Sequence, residues 1–433
     1  MANQKKGFTR RTFLKGTGAA LAGAVVGGKI AEQGIFAPHV VHAANEVVLA
    51  IQQFAWDGIK AVLPDFESST GLTVTFEAGP ASGTDMLTKY STAFAAGNSP
   101  VDVFSDADES SPVFMRAGWI EPLTDIIPQA TWDDFPQIMQ NQIDLFNSYE
   151  GVHYRIPHEF AVGYTWTRSD WFAEKGVKSP TTWDEEVQIG KEFTDASTGV
   201  WGTTEGLMKG GLLYVYCAYL AAQSGGSIFD FDDATATAFQ FLYDLIYTHK
   251  IMPEAALNQD YNAQNEAYMG DKVAFMRQWP FFESVAEGNT DWYKPEKVQI
   301  ELPPAGPAGA KSWWGGWGFS VPKFAPNMDG AKELIKYLTS NDVFPQLGVG
   351  QSWFIIPRTS VLDFWQGKNN PMVAAMGMYI DKEVVTPRPY HDQVSQAQTV
   401  VEDMVSLFLS GQAKLTDVMK QGKEQIAALS TQS

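Results

Sequence analysis

The sequence predicts an α/β fold, and three observations carry the prediction. In the first third of the chain, apolar runs of strand length alternate with stretches of helical period. Polar or aromatic, loop-like segments follow each of those runs. Beyond about residue 160, helical periodicity dominates, interrupted by a few short strand-like runs.

The first run, Val47-Val48-Leu49-Ala50-Ile51, is continuously apolar and reads as a strand buried on both faces. A helical stripe follows at Ile59, Val62, Leu63 and Phe66, then an alternating strand at Leu72, Val74 and Phe76. A second helix, Met86 to Ala96, leads to a strand at Val101-Asp102-Val103-Phe104. This β-α-β-α-β order implies a parallel sheet with crossover helices, and such sheets bind ligands beyond the carboxyl ends of their strands. Those ends carry Gln52 to Asp57, Gly79 to Asp85 and Ser105 to Glu109.

Helices are expected over Trp183–Phe193, Leu212–Gln223, Ala234–Thr248 and Asn262–Met269, with short strands at Val273–Met276 and Val298–Leu302. The Pro/Gly-rich stretch Pro303–Gly309 precedes a strand at Gly315–Val321. Ala331, Leu334, Ile335 and Leu338 form the stripe of another helix, with Asn327 as N-cap. Two amphipathic helices close the chain, one with Ala397, Val401 and Met404, the other with Leu415, Val418 and Ile426.

Charge and cysteine content exclude whole classes of function. The 433 residues hold 31 Lys and Arg against 50 Asp and Glu, a net of −19, and the first 43 residues are basic, so the body is more acidic still. Such a surface repels phosphate backbones, and no nucleic-acid partner is expected. The single cysteine, Cys217, rules out an internal disulfide and any multi-thiolate metal or haem site. No His-Glu-x-x-His, Walker or G-x-S-x-G pattern occurs, so neither cofactor, metal nor catalytic residue is assigned. Adjacent acids at Asp133-Asp134, Glu185-Glu186 and Asp232-Asp233 could serve a glycosidase, but first helical turns and loops favour acids for structural reasons alone.

Residues 1–43 read as an export signal. The run Thr9-Arg10-Arg11-Thr12-Phe13-Leu14-Lys15 resembles the twin-arginine motif, with Arg10, Arg11, Phe13 and Leu14 as its signal residues. The uncharged stretch 16–28 is too short to span a bilayer, and Val41-His42-Ala43 offers a cleavage site. No cysteine follows for a lipid anchor. The expected product is periplasmic, soluble and monomeric, after passage through the twin-arginine translocase.

The 14 tryptophans are informative by position. Trp56, Trp279, Trp313, Trp314, Trp317 and Trp353 flank predicted strand ends or glycines. Indole faces suit the C–H face of a sugar ring, whose hydroxyls then need a few convergent polar groups. The same aromatics and acids could instead cage a cationic solute such as a polyamine or quaternary amine. An exported glycoside hydrolase and an exported redox enzyme are further alternatives.

Several segments resemble a known family in the right order over nearly the whole of the chain after the export signal. Val162-Gly163-Tyr164-Thr165-Trp166-Thr167-Arg168 through Trp171-Phe172, Pro180-Thr181-Thr182-Trp183-Asp184-Glu185, and Tyr268-Met269-Gly270-Asp271-Lys272-Val273-Ala274-Phe275-Met276 with Trp279 are similar to its signature segments. So are Gly315-Gly316 with Phe319-Ser320-Val321, Ile356-Pro357-Arg358 and Arg388-Pro389. The family is that of extracellular solute-binding proteins of bacterial ABC importers, carbohydrate type (maltose-binding-protein-like). The chain departs from its pattern at Trp166-Thr167, where the family has Tyr-Asn, and at Arg277-Gln278-Trp279, where it has G-x-W.

The resemblance implies a two-lobe periplasmic binding-protein fold (type II-like) that closes about a hinge on a ligand at the lobe interface. It implies hinge crossings near Pro157–Ala161, Trp314–Phe319 and Trp353–Arg358, with lobe one at 45–160 plus 316–355 and lobe two at 161–315 plus 356–433. The expected partners are a small-molecule solute, a carbohydrate, and the importer's permease subunits. The implied cleft residues are Trp56, Ser82, Asp106, Tyr164, Trp279, Trp314, Gly316, Trp353 and Arg388. Trp56, Trp279, Trp314 and Trp353 would stack on ring faces; Ser82, Asp106 and Arg388 would bond hydroxyls; Gly316 would let backbone approach the ligand.

Overall fold

The computed structural model describes residues 43, 45–80, 82–347, 358–366 and 371–430; Arg10, Arg11, Phe13, Leu14, Trp353 and the pair Ile356-Pro357 lie outside these. Twelve strands occur among the described residues: β1 (Glu46–Ile51), β2 (Thr73–Ala78), β3 (Val103–Ala107), β4 (Ser148–Tyr149), β5 (Val152–His153), β6 (Ile156–Val162), β7 (Tyr164–Arg168), β8 (Trp201–Thr204), β9 (Val273–Gln278), β10 (Val298–Glu301), β11 (Ser312–Ser320) and β12 (Val385–Thr386).

The first sheet runs β2-β1-β3-β11, with β6 and β12 also on β11. β1, β2 and β3 are parallel, as the β-α-β-α-β reading requires, and β11 returns antiparallel to both β3 and β6. The second sheet runs β10-β7-β9-β8. One residue, Gly163, separates β6 in the first sheet from β7 in the second. The architecture is a two-lobed α/β fold.

Helices begin where the sequence supplies caps. The Ser82 hydroxyl accepts the Asp85 N–H at the start of Gly83–Ala95, and Thr182 does the same for Glu185 at the start of Trp183–Phe193. The Asn327 side chain accepts the Gly330 N–H ahead of Met328–Leu338. Each such bond satisfies a donor that the helix itself cannot. No described helix is long and apolar enough to cross a membrane.

Several elements depart from expectation. β3 lies two residues later than Val101–Phe104, because Asp102 is drawn off to accept from the Val48 N–H (2.8 Å) and the Asn327 N–H (2.6 Å). Ser105 and Asp106 are therefore strand residues, not loop. β6, for which no strand is expected from the sequence, and β7 and β8, which lie where helical periodicity dominates, are additional strands. Polar residues interrupt their apolar pattern, and several are buried with a partner from elsewhere in the chain: His158 with Ser105 (2.9 Å), and the Thr165 N–H with the Tyr379 hydroxyl (3.0 Å). β11 starts at Ser312 rather than Gly315, while the helix read as Ala234–Thr248 is Asp233–Tyr243 with a π-turn to Thr248.

Two main apolar clusters result. One joins β1 and β3 to the helices at Met328–Leu338 and Pro371–Asp381 and reaches Tyr164 and Trp166 of β7. The other joins the helices at Leu212–Gln223, Asp233–Tyr243, Val394–Leu409 and Leu415–Ser430. Strand alternation on β11 sends Trp314 into the first and Trp313 into the second.

Candidate functional site

The carboxyl end of β3 carries Asp106, Asp108 and Glu109, where a parallel sheet presents groups to a ligand. Asp108 is buried and forks between two cations: Oδ1 accepts from Arg155 at 2.8 Å, and Oδ2 faces Arg388 at 3.5 Å. The Gln142 amide donates to Oδ2 as well, at 3.0 Å. Burial raises the Asp108 carboxyl, against the pull of Arg155 and Arg388. Arg155 is itself buried and also donates to Asn147 (2.9 Å) and to the Asp106 carbonyl (3.1 Å).

Arg388 comes from the segment that leads into Val394–Leu409, a helix packed with Leu212–Gln223 in the second cluster. Its guanidinium ion-pairs with Glu109 and lies 5.0 Å above the Trp313 ring. Three further contacts join the same parts of the chain. Ser395 donates to the Glu109 carbonyl (3.1 Å), and Arg116 donates to the Tyr390 hydroxyl (2.7 Å) and ion-pairs with Asp392.

Trp313 meets Trp279 edge to face, ring centres 5.6 Å apart. The Trp279 indole N–H donates to the Tyr261 hydroxyl at 2.9 Å. Arg277, two residues earlier on β9, lies 5.0 Å over Trp279 and 5.4 Å over Tyr219. Gly316 lets β11 close on this end of β3: a Cβ there would sit 2.9 Å from the Glu159 carbonyl and 3.4 Å from the Asp108 carboxylate.

Among the residues expected in the cleft, the structure thus brings Trp279, Gly316 and Arg388 into one network. Asp106 adjoins it through Arg155. Its Oδ1 accepts from Ser110, its Oδ2 finds no partner among the described residues, and burial, only partly offset by Arg155, pushes the carboxyl up to about 7. Ser82 borders it beside Glu109, since a Cβ on the neighbouring Gly83 would fall 2.5 Å from the Glu109 Cβ, but its hydroxyl is spent on the Asp85 cap.

Three of the expected residues stand apart. Trp314 is buried against Phe160, edge to face at 6.2 Å, in the apolar core. Tyr164 is buried as well, its hydroxyl donating to the Met372 carbonyl at 3.2 Å. Half-buried Trp56 gives its indole N–H to the Ile51 carbonyl (3.0 Å) and packs on Phe76 and Lys60. The sequence reading passed over Trp313, Asp108, Arg155, Gln142 and Arg277 as site residues. Two-residue alternation along β11 was the available signal for Trp313, because it puts Trp313 and Trp314 on opposite faces.

The acid pairs do structural work. Asp232 caps the helix Asp233–Tyr243, Glu185 accepts from the Thr181 N–H at 2.8 Å, and Asp134 holds Arg358 at 3.0 Å.

Comparison with known proteins gives a consistent picture. The family model described as bacterial extracellular solute-binding protein matches residues 55–343. A probable ABC transporter-binding protein of Deinococcus radiodurans is 25% identical over 77% of each chain. A maltotriose-binding protein of Pyrococcus abyssi is 24% identical over 76% of this chain and 68% of its own. Among solved structures, the maltose-bound MalE3 of T. maritima superposes with a TM-score of 0.78 at 24% identity, covering 89% of this chain and 99% of the other. A solute-binding protein of Thermotoga lettingae bound to α-D-tagatose gives a TM-score of 0.76 at 21% identity, over 88% and 98%.

Proposed function

This chain belongs to the family of bacterial extracellular solute-binding proteins, and on that premise we propose that it is the receptor subunit of an ABC importer that captures a carbohydrate between its lobes. One observation carries the assignment of the site. Trp279, Trp313, Arg388, Asp108 and Glu109 meet where the end of β3 faces the segment that leads into Val394–Leu409. Aromatic rings beside charged donors and acceptors are what a sugar's apolar face and hydroxyls require. The relative named for maltotriose and the structures holding maltose and tagatose support the ligand class.

We take residues 45–160 plus 316–355 as lobe one and 161–315 plus 356–433 as lobe two. The change of sheet across Gly163 supports the first hinge crossing. Ligand contacts to both lobes favour the closed state, and a membrane permease that reads closure takes delivery. The protein is a receptor without catalytic turnover, exported through Arg10 and Arg11 by the twin-arginine translocase and active as a periplasmic monomer.

A cationic solute is the competing ligand class. Against it, guanidinium groups already lie over Trp313 and Trp279, so an incoming cation would meet two like charges.

The test is a thermal-shift screen of the full chain against neutral and acidic sugars, sugar alcohols and quaternary amines. A ligand that binds only the folded protein adds about 2.7 kcal/mol at a hundred times its Kd. A shift with a sugar class, with the compound recovered intact, supports the reading. A shift only with amines, or consumption of a glycoside, refutes it.

A further inference from the structure

Five arginines are buried among the described residues: Arg155, Arg168, Arg277, Arg358 and Arg388. Four of them meet a carboxylate: Arg155 and Arg388 at Asp108, Arg168 at Asp170 and Asp271, and Arg358 at Asp134. Arg277 is the exception. It is 6% exposed, its Nε finds no acceptor among the described residues, and no described side chain ion-pairs with its guanidinium. A buried cation left so is costly unless something supplies the missing charge and acceptors.

The surroundings hold the guanidinium in place without an ion pair; Glu205 favours its charge from beyond ion-pairing distance, against the cost of burial. The Arg277 backbone is locked in β9, its N–H donating to Glu205 (2.9 Å) and its carbonyl accepting from Gln264 (2.7 Å). Its side chain lies over Trp279 and Tyr219 and against the bare backbone of Gly163, where a Cβ would fall 2.3 Å from Nη1. Burial pushes Glu205, against the pull of Arg277, and its neighbour Glu186 up to about 8, so near neutral pH Glu205 offers the guanidinium only part of a negative charge.

Trp279 links this group to the aromatic and ionic network of the candidate site, and Gly163 places it at the change of sheet. We infer that Arg277 is a ligand anchor and that the carbohydrate it receives carries a carboxylate, as in a uronic acid or an oligosaccharide of uronic acids. The inference rests on the carbohydrate-receptor reading above. A planar carboxylate matches the guanidinium fork through two parallel N–H···O bonds, and the desolvated pair is the strong kind of charge-assisted bond. A neutral sugar offers hydroxyl oxygens but leaves the charge uncompensated.

The deciding experiment is calorimetric titration of the full chain with glucuronate, galacturonate and their dimers, each beside its neutral parent sugar. At least one acid is expected to bind ten or more times tighter than its parent. Arg277→Gln should erase that preference, weakening the acid by at least tenfold more than its parent sugar. Arg277→Lys, which keeps the charge but not the fork, should retain part of the preference. If Arg277→Gln does not fold, Gly163→Ala serves instead, since its methyl displaces the guanidinium tip rather than removing it; it too should narrow the preference. Equal binding of acid and parent by the wild type, or an undiminished preference in the variants, overturns the anchor while leaving a neutral-sugar receptor standing. Failure of every sugar, acidic or neutral, to bind folded wild type overturns the receptor reading and the anchor together.

Discussion

Replacing Arg388 by Met removes the cation that joins the end of β3 to the segment leading into Val394–Leu409. Asp108 loses little, because Arg155 at 2.8 Å and Gln142 at 3.0 Å remain. Glu109 is stranded, with a side chain 20% exposed. Removing one partner of a fully buried pair costs about 3–5 kcal/mol. A carboxylate with one side in water falls below that range, and about 2–3 kcal/mol is the expected cost, including the lost contact with Trp313. If the lobes separate without ligand, both charges reach water in the open form, so the penalty falls on the closed, liganded form. Kd should then weaken about 30- to 150-fold, while the urea midpoint of ligand-free protein stays nearly constant. Titration calorimetry and urea melts read the two quantities separately. A large fall in ligand-free stability with unchanged Kd would show the network to be a fixed part of the fold and refute closure across it.

Glu186 and Glu205 are held near 8, against 4.5 when exposed, so the folded protein binds more protons than the unfolded chain between those limits. Stability from these groups is therefore present at low pH and lost as pH rises from about 4.5 toward 8, on the order of 5 kcal/mol per group at most. Glu186→Gln should flatten the difference between urea melts at pH 5 and pH 8. Gly316→Ala forces a methyl to within 2.9 Å of the Glu159 carbonyl, so β6 and β11 must part, lowering stability by about 1–3 kcal/mol in a thermal melt. Cys217 is buried and its thiol is raised further by burial, so a thiol reagent should label it only after denaturation. Replacing Arg10 and Arg11 together by Lys should leave unprocessed precursor in the cytoplasm, read by fractionation and blotting.

The opening of the first lobe was legible because β1 is an almost continuous apolar run, β2 alternates, and two of its helices carry local caps. Val47–Ile51, the Ser82 and Asn327 caps and the stripe at Ala331–Leu338 need only neighbours along the chain to declare themselves. β6 and β7 were not legible, since His158, Glu159, Thr165, Thr167 and Arg168 break their apolar pattern. Such residues are tolerated in a buried strand only when partners arrive from elsewhere, as Ser105 does for His158 and Asp271 for Arg168.

The site divides in the same way. The sequence by itself determined the fold class, the acidic body, the family signature segments and the presence of Trp279, Gly316 and Arg388 in it. Which tryptophan of the pair 313-314 turns toward Arg388 was decided by the phase of β11, and a one-residue shift would exchange them. That Arg277 alone among the buried arginines of the described residues forms no ion pair was decided by packing, because every ion pair formed by Arg155, Arg358 and Arg388 spans dozens of residues. Pairing over such separations exists only once the chain has folded, which is why the tertiary structure, and not the order of residues, picks out the arginine left for a ligand.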